Sequence, residues 1–269
     1  MAGMIDFTPP LALWAAPPKP AIIRARAAPF DLIKVTQAGK KMKGVHASFP
    51  MPTFIPKGGL VVSYVGSNAI TTNLSAYTFT AQSFGASGKK LVVVGAATDS
   101  NISTTRTLSS LTIAGGGNQA VLNTYGAAGG TNITTLYYLE TTATFGDVVV
   151  TLSGAMLYCG ISIWTITGYS STTPITTNSA AQTGSTANNV SINVLKGDAI
   201  IGLDHIQQTS ARTTTWVGLT ENFDGAIETN QGYRAPASLL ATADATPLSI
   251  TATPSSTIAR HGTVVASWR

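Results

Sequence analysis

From Leu60 to Trp268 the chain is a succession of short β-branched and aromatic runs, each closed by a cluster of Gly, Asn, Ser or Thr. The first seven runs are LVVSYV (60–65), YTFTAQ (77–82), KLVVVGAA (90–97), LSSLTIA (108–114), QAVLNT (119–124), NITTLYYLE (132–140) and DVVVTLS (147–153). LYCGISIWTIT (157–167), NVSINV (189–194), DAIIGLDHI (198–206), TTWVGLT (214–220), YRAPASLLAT (233–242), PLSITAT (247–253) and HGTVVASW (261–268) follow. No stretch of ten residues repeats its apolar positions at the 3.6-residue period of a helix. Short strands separated by turn signals predict an antiparallel sandwich or barrel.

Two runs alternate cleanly. Val190, Ile192 and Val194 oppose Ser191 and Asn193, and Leu248, Ile250 and Ala252 oppose Ser249, Thr251 and Thr253. That pattern predicts one buried and one wet face. KLVVVGAA and LYCGISIWTIT are more continuously apolar, which predicts central strands or an interface. Gly115-Gly116-Gly117-Asn118 and Gly129-Gly130-Thr131-Asn132 read as tight connections. Neither precedes a helix, so neither is a phosphate-cradling loop. No strict repeat of 20–50 residues is present. The shared Gly-Asp starts at 146–150 and 197–201 read as a recurrent turn-to-strand device, without duplication.

The first 57 residues differ. They hold eight basic residues and two acids, whereas residues 58–269 hold eight and nine. Nine of the 13 prolines lie at or before Pro56, which bars long helices and central strands there. The segment is also too apolar for a solvated linker. It reads as an extended, basic, Pro-rich docking arm (1–57) leading into a β-sandwich domain (58–269). Phe7, Leu11, Leu13, Trp14, Ile22, Ile23, Phe30 and Phe54 are its candidate apolar anchors, and Arg24, Arg26, Lys40, Lys41 and Lys43 its candidate charges. Proline stiffness lowers the entropy lost on docking, and the cations draw the arm to an acidic partner surface. Wrapping around its own domain is the competing reading. An arm of this kind reaches a neighbouring subunit, so a homo-oligomer, with a trimer as one form, is expected. Lys40-Lys41-Met42-Lys43 is short, and the sequence has no helix-turn-helix, zinc-finger or RNP-like motif beside it, so it reads as a solvated charge run or protein contact and not as a nucleic-acid site.

Charged residues are 10% of this 269-residue chain, against about 25% in ordinary soluble domains. Its apolar content excludes a disordered chain, and no uncharged apolar run reaches the ~18 residues of a membrane-spanning helix. The single cysteine, Cys159, excludes an internal disulfide framework and a cysteine-based metal site. MAGMIDF lacks a basic n-region and carries Asp6, which argues against a cleaved secretory signal.

Five pieces occur in fixed order over roughly residues 60–269: SFGASGKKLVVVGAATD, LSSLTIAGGGNQAV, TTLYYLETTATFGDVVVTLSGAMLYCGISIWTITGYSS, GDAIIGLDHIQQTSARTTTWVGLTENFD and HGTVVASW. In texture and order they resemble predicted virion structural proteins of tailed bacteriophages: decoration, fibre or tail-associated proteins. The resemblance implies a jelly-roll-like sandwich and a structural place on a particle assembled in the host cytoplasm, among capsid, collar or tail subunits. The arm lies outside it.

The inventory for chemistry is poor. His46, His205 and His261 show neither metal-ligand spacing nor a nucleophile motif. Glu221, Asp224 and Glu228 form an acidic loop that reads as solvated in preference to a Ca²⁺ site. Glu140 and Asp147 are weak candidates for a glycosidase pair. Trp164 and Trp216 read as core residues, with sugar stacking as the rival role for Trp216, and Tyr137-Tyr138 puts one ring on each face of a strand. Cys159 reads as a small buried apolar group. The expectation is a non-enzymatic virion protein without cofactor, metal, nucleic acid or membrane partner. The alternative is a carbohydrate- or receptor-binding module for host attachment, and a polysaccharide depolymerase ranks third.

Overall fold

The computed structural model describes residues 59–269, apart from 128, 185, 186, 209 and 257. The strands of its first half are β1 (Val61–Ile70), β2 (Leu74–Ser83), β3 (Lys90–Ser100), β4 (Leu108–Ile113), β5 (Asn118–Ala127), β6 (Gly130–Thr141), β7 (Phe145–Met156) and β8 (Tyr158–Thr167). The second half holds β9 (Thr176–Gln182), β10 (Asn188–Val194), β11 (Ala199–Gln207), β12 (Thr214–Val217), β13 (Thr220–Glu221), β14 (Gly225–Glu228), β15 (Gly232–Leu240), β16 (Ala245–Pro254) and β17 (Arg260–Trp268). All pairings are antiparallel. The protein is therefore all-β, built of antiparallel sheets stacked as sandwiches.

Each half makes two sheets in the same order. The first half pairs β1-β8-β3-β6-β5 and β2-β7-β4. The second pairs β9-β17-β11-β15-β13, with β14 also on β15, and β10-β16-β12. Counting β13 and β14 together as the counterpart of β5, every neighbour relation of the first half recurs in the second. The two halves thus share one strand topology, which no repeat in the sequence announces. The two Gly-Asp starts do not mark it. The first lies in β7 and the second precedes β11, and these strands are not counterparts.

The layers run three-stranded, five-stranded, six-stranded, three-stranded, with a core in each gap. Tyr77, Phe79, Val148 and Val150 meet Val92, Val94, Ile161 and Ile163 in the first gap. Leu91, Val93, Trp164 and Ile166 meet Ile201, Leu203, Val264 and Trp268 in the second. Val190, Ile192, Trp216 and Ile250 meet Ile200, Ala235 and Val265 in the third. This explains the continuously apolar runs. β3, β8, β11 and β17 belong to the inner sheets and are buried on both faces, so successive side chains enter different cores. β10 and β16 lie in an outer sheet and keep the predicted alternation.

The halves meet reciprocally. β1 lies against β14 and β15, and its counterpart β9 lies against β5. That exchange of equivalent contacts is the pattern of an isologous dimer, here within one chain.

Candidate functional site

The face between the two inner sheets changes character along its length. On β3 the inward residues run Leu91, Val93, Gly95, Ala97, Asp99, and on β17 they run Trp268, Ala266, Val264, Gly262, Arg260. One end of this interface is hydrocarbon and the other is charged. At the charged end Arg260 donates from Nε (3.2 Å) and Nη2 (2.6 Å) to the two oxygens of Asp99, and from Nη2 to the Ser100 carbonyl (3.0 Å). Both side chains are buried. Burial pushes the Asp99 carboxyl up to about 7, against the downward pull of the guanidinium. This pair joins β3 of the first half to β17 of the second.

His205 projects into the same interface and shares a hydrogen bond with the Tyr158 hydroxyl at 3.3 Å. Burial drives its pKa down to about 3, so it is neutral at physiological pH. Arg234, 4% exposed, is the next charge in this face. Its guanidinium rests on Gly160 of β8, where a Cβ would fall 2.2 Å from Nη1. Only glycine admits that approach.

A second polar group lies inside the other half. Asp204 accepts from Thr263 Oγ1 (2.5 Å), His261 Nε2 (2.5 Å) and Thr214 Oγ1 (2.9 Å), and Asn188 Nδ2 donates to Thr263 Oγ1 (2.9 Å). Asp204, His261 and Thr263 are fully buried. An aspartate, a histidine and a hydroxyl thus come together, but closed off from any substrate. Chemically the arrangement satisfies one buried carboxylate and binds the two sheets of the second half.

Among the described residues a surface cleft of about 370 Å³ is bounded by Ser63–Val65 of β1, the segment Gly85–Lys90 and Thr165 and Thr167 of β8. Lys90 is turned away from it in function, because its Nζ donates to the Ala86 carbonyl at 2.7 Å and shapes the connection.

The sequence candidates divide as follows. Phe7, Leu11, Leu13, Trp14, Ile22, Ile23, Arg24, Arg26, Phe30, Lys40, Lys41, Lys43 and Phe54 lie outside the described residues, as does His46. Glu140 is taken up by Lys89 Nζ (3.1 Å) and the Tyr169 hydroxyl (2.8 Å), and Asp147 by the Ala81 amide (2.9 Å). In the acidic loop Asp224 accepts from the Thr214 amide at 2.6 Å, and burial raises its carboxyl to about 6. Among the described residues no group of three or more His, Cys, Asp or Glu is placed to hold a metal ion. Trp164 and Trp216 are core residues, and Tyr137 and Tyr138 pack into different cores. Burial pushes the Cys159 thiol up to about 12.

Sequence reasoning passed over Asp99, Arg234 and Arg260. A usable signal existed: each is a charge within or at the end of an apolar strand run, in a chain where charge is scarce. Compared with protein-family models, curated proteins and solved structures, the chain has no match.

Proposed function

We propose that the chain is a non-enzymatic structural subunit of a tailed-phage particle, docked through residues 1–57 and displaying the stacked sheets outward. Each half is read as a jelly roll. First-half strands in the orders 1-8-3-6 and 2-7-4 follow an eight-stranded double Greek key, with the fifth strand transferred to the edge of the first sheet. Jelly rolls recur in capsid and lectin domains. The observation that carries the reading is where the charged groups are used. Asp99–Arg260 joins the two inner sheets, and Asp204, paired with His261 of its own sheet, reaches the outer sheet through Thr214.

The outward face of the β10-β16-β12 sheet presents Asn189, Ser191, Asn193, Thr215 and Thr253, and none of its three strands carries a charge. Such a face suits packing against a protein neighbour. It also supports the second reading, an uncharged host glycan bound by hydrogen bonds.

The test is incorporation. Tagged full-length chain and a variant lacking 1–57 are supplied during infection, and purified particles are probed for each. Full-length chain in the particles, with the truncated chain folded but left in the supernatant, is the expected result. Equal incorporation of both removes the docking arm, and absence of the full chain removes the particle reading. Saturable binding of the full chain to a neutral polysaccharide favours the second reading.

A further inference from the structure

Arg234 and Arg260 lie in the same interface and are treated in opposite ways. Arg260 is clamped on a carboxylate. Arg234 is as buried, yet its Nε and Nη1 have no hydrogen-bond partner. The ionisable groups that act on its charge favourably are a phenol and a thiol, Tyr64 and Cys159, and neither is a carboxylate. A buried cation without a counter-charge, with two of its three nitrogens unbonded, is a costly arrangement for a protein interior. Burial lowers its pKa to about 10, against the upward pull of Tyr64 and Cys159.

The surroundings are organised. Arg234 is flanked in register by His205 of β11 and Gly225 of β14. Beneath the guanidinium is Gly160, and Ser162 is the next residue of β8 on that face. The Ser162 hydroxyl is 2.9 Å from that of Ser67, which in turn bonds the Tyr64 hydroxyl. Over the guanidinium, with its ring centroid 5.7 Å from Cζ, stands Phe223, which is 38% exposed. Phe223 belongs to the short connection between β13 and β14. A Cβ on Gly225 would fall 2.5 Å from its ring, so glycine there lets the ring fold down.

We propose that Arg234 is the receptor of a small oxyanion, which enters under the Phe223 ring and takes the unpartnered N–H groups. The planar fork of donors matches carboxylate and phosphate oxygens and has no such match to chloride. Phe223 is the cover. The adjoining Asn222 Oδ1 accepts from Trp164 Nε1 at 2.9 Å, which ties that cover to an indole in the central core. The site is independent of the particle reading.

The test is a titration of the full chain with acetate, sulfate and phosphate at constant ionic strength, with chloride as the reference. Melting temperature and tryptophan fluorescence are read together. The expected result is a saturable rise in Tm with a change in emission, weakened at least tenfold in Arg234→Met and retained in Phe223→Ala. A response to acetate assigns a planar carboxylate, and a response to sulfate or phosphate a tetrahedral anion. A wild-type response no larger than that to chloride overturns the proposal, as does an unchanged response in Arg234→Met. Should that variant not fold, ¹⁵N spectra of the wild-type arginine Nε–H groups decide. A buried resonance that shifts with oxyanion but not chloride upholds the site, and none shifting overturns it.

Discussion

Replacing Arg260 by Met tests whether the two halves are one cooperative structure. Arg260 is 6% exposed and donates two hydrogen bonds to Asp99 and one to the Ser100 carbonyl. Met fills much of the stem volume and leaves Asp99 buried without a partner. Breaking a buried pair in this way costs about 3–5 kcal/mol. The cost depends on pH, because the orphaned carboxyl can escape by binding a proton. Asp99 is already raised to about 7 with Arg260 in place, and losing the guanidinium raises it further. Arg260→Met is therefore less damaging at pH 5 than at pH 8. Asp99→Asn strands a guanidinium that stays charged, at a cost of about 3–5 kcal/mol, and removes the titration at position 99, so the wild type's own loss of the Asp99 contribution between pH 5 and 8 is absent from the variant. The double replacement Asp99→Leu with Arg260→Met removes both charges and returns to within about 1–2 kcal/mol of wild type.

The assay is urea unfolding followed by tryptophan fluorescence and circular dichroism. Trp164 and Trp268 report on the central core and Trp216 on the third. Since the pair bridges the halves, the single variants are expected to split one transition into two. The reasoning is refuted if Arg260→Met costs under about 1 kcal/mol at pH 8, or if the double variant is no more stable than either single one.

Three further outcomes follow. His205 has a folded pKa of about 3, below its ordinary 6.5, so the unfolded chain takes up a proton that the folded one refuses. Stability then falls as pH drops below about 6.5, and His205→Asn loses less between pH 6.5 and 4 in acid unfolding curves. Asp99, whose folded pKa is raised, acts in the opposite sense: it favours folding at low pH and loses that contribution as pH rises through about 7. Trp216→Ala is expected to cost about 3–5 kcal/mol and to loosen the third core first, read as faster amide exchange in β10, β12 and β16 than in β2, β4 and β7. Cys159, fully buried and held protonated, is expected to resist a thiol reagent in the folded protein and to react at the rate of unfolding in urea.

Each β-branched or aromatic run in the sequence coincides with a strand, because those side chains fill the pleated, buried faces. β9 escaped because Thr-Thr-Asn-Ser-Ala-Ala-Gln has no large apolar residue. It is an edge strand held by its ladder to β17 and covered by β5 and β10, so small side chains suffice. β13 and β14 are too short to pattern at all. The charged network was not legible for another reason. Asp99 meets Arg260 across 161 residues, when the two inner sheets stack, and Asp204 meets His261 across 57, when β11 pairs with β17 in one sheet. No local spacing records that.

The four-layer stacking also accounts for the composition. In a simple two-layer sandwich every strand has one wet face, which charged residues can occupy. Here both inner sheets lack one, and β3, β8, β11 and β17 offer almost no position where a charge is cheap. A charge on such a strand is kept only where its opposite or a set of hydrogen bonds stands across the gap, as at Asp99 and Asp204. The rule asks only that buried positions be apolar, so two halves with one topology need share no recognisable repeat. The same constraint makes Arg234 informative: on the neighbouring inner strand β15 it has the burial of these residues without their partner. Either the energy of that charge is met by an incoming anion, or Arg234→Met is more stable than the wild type in every buffer.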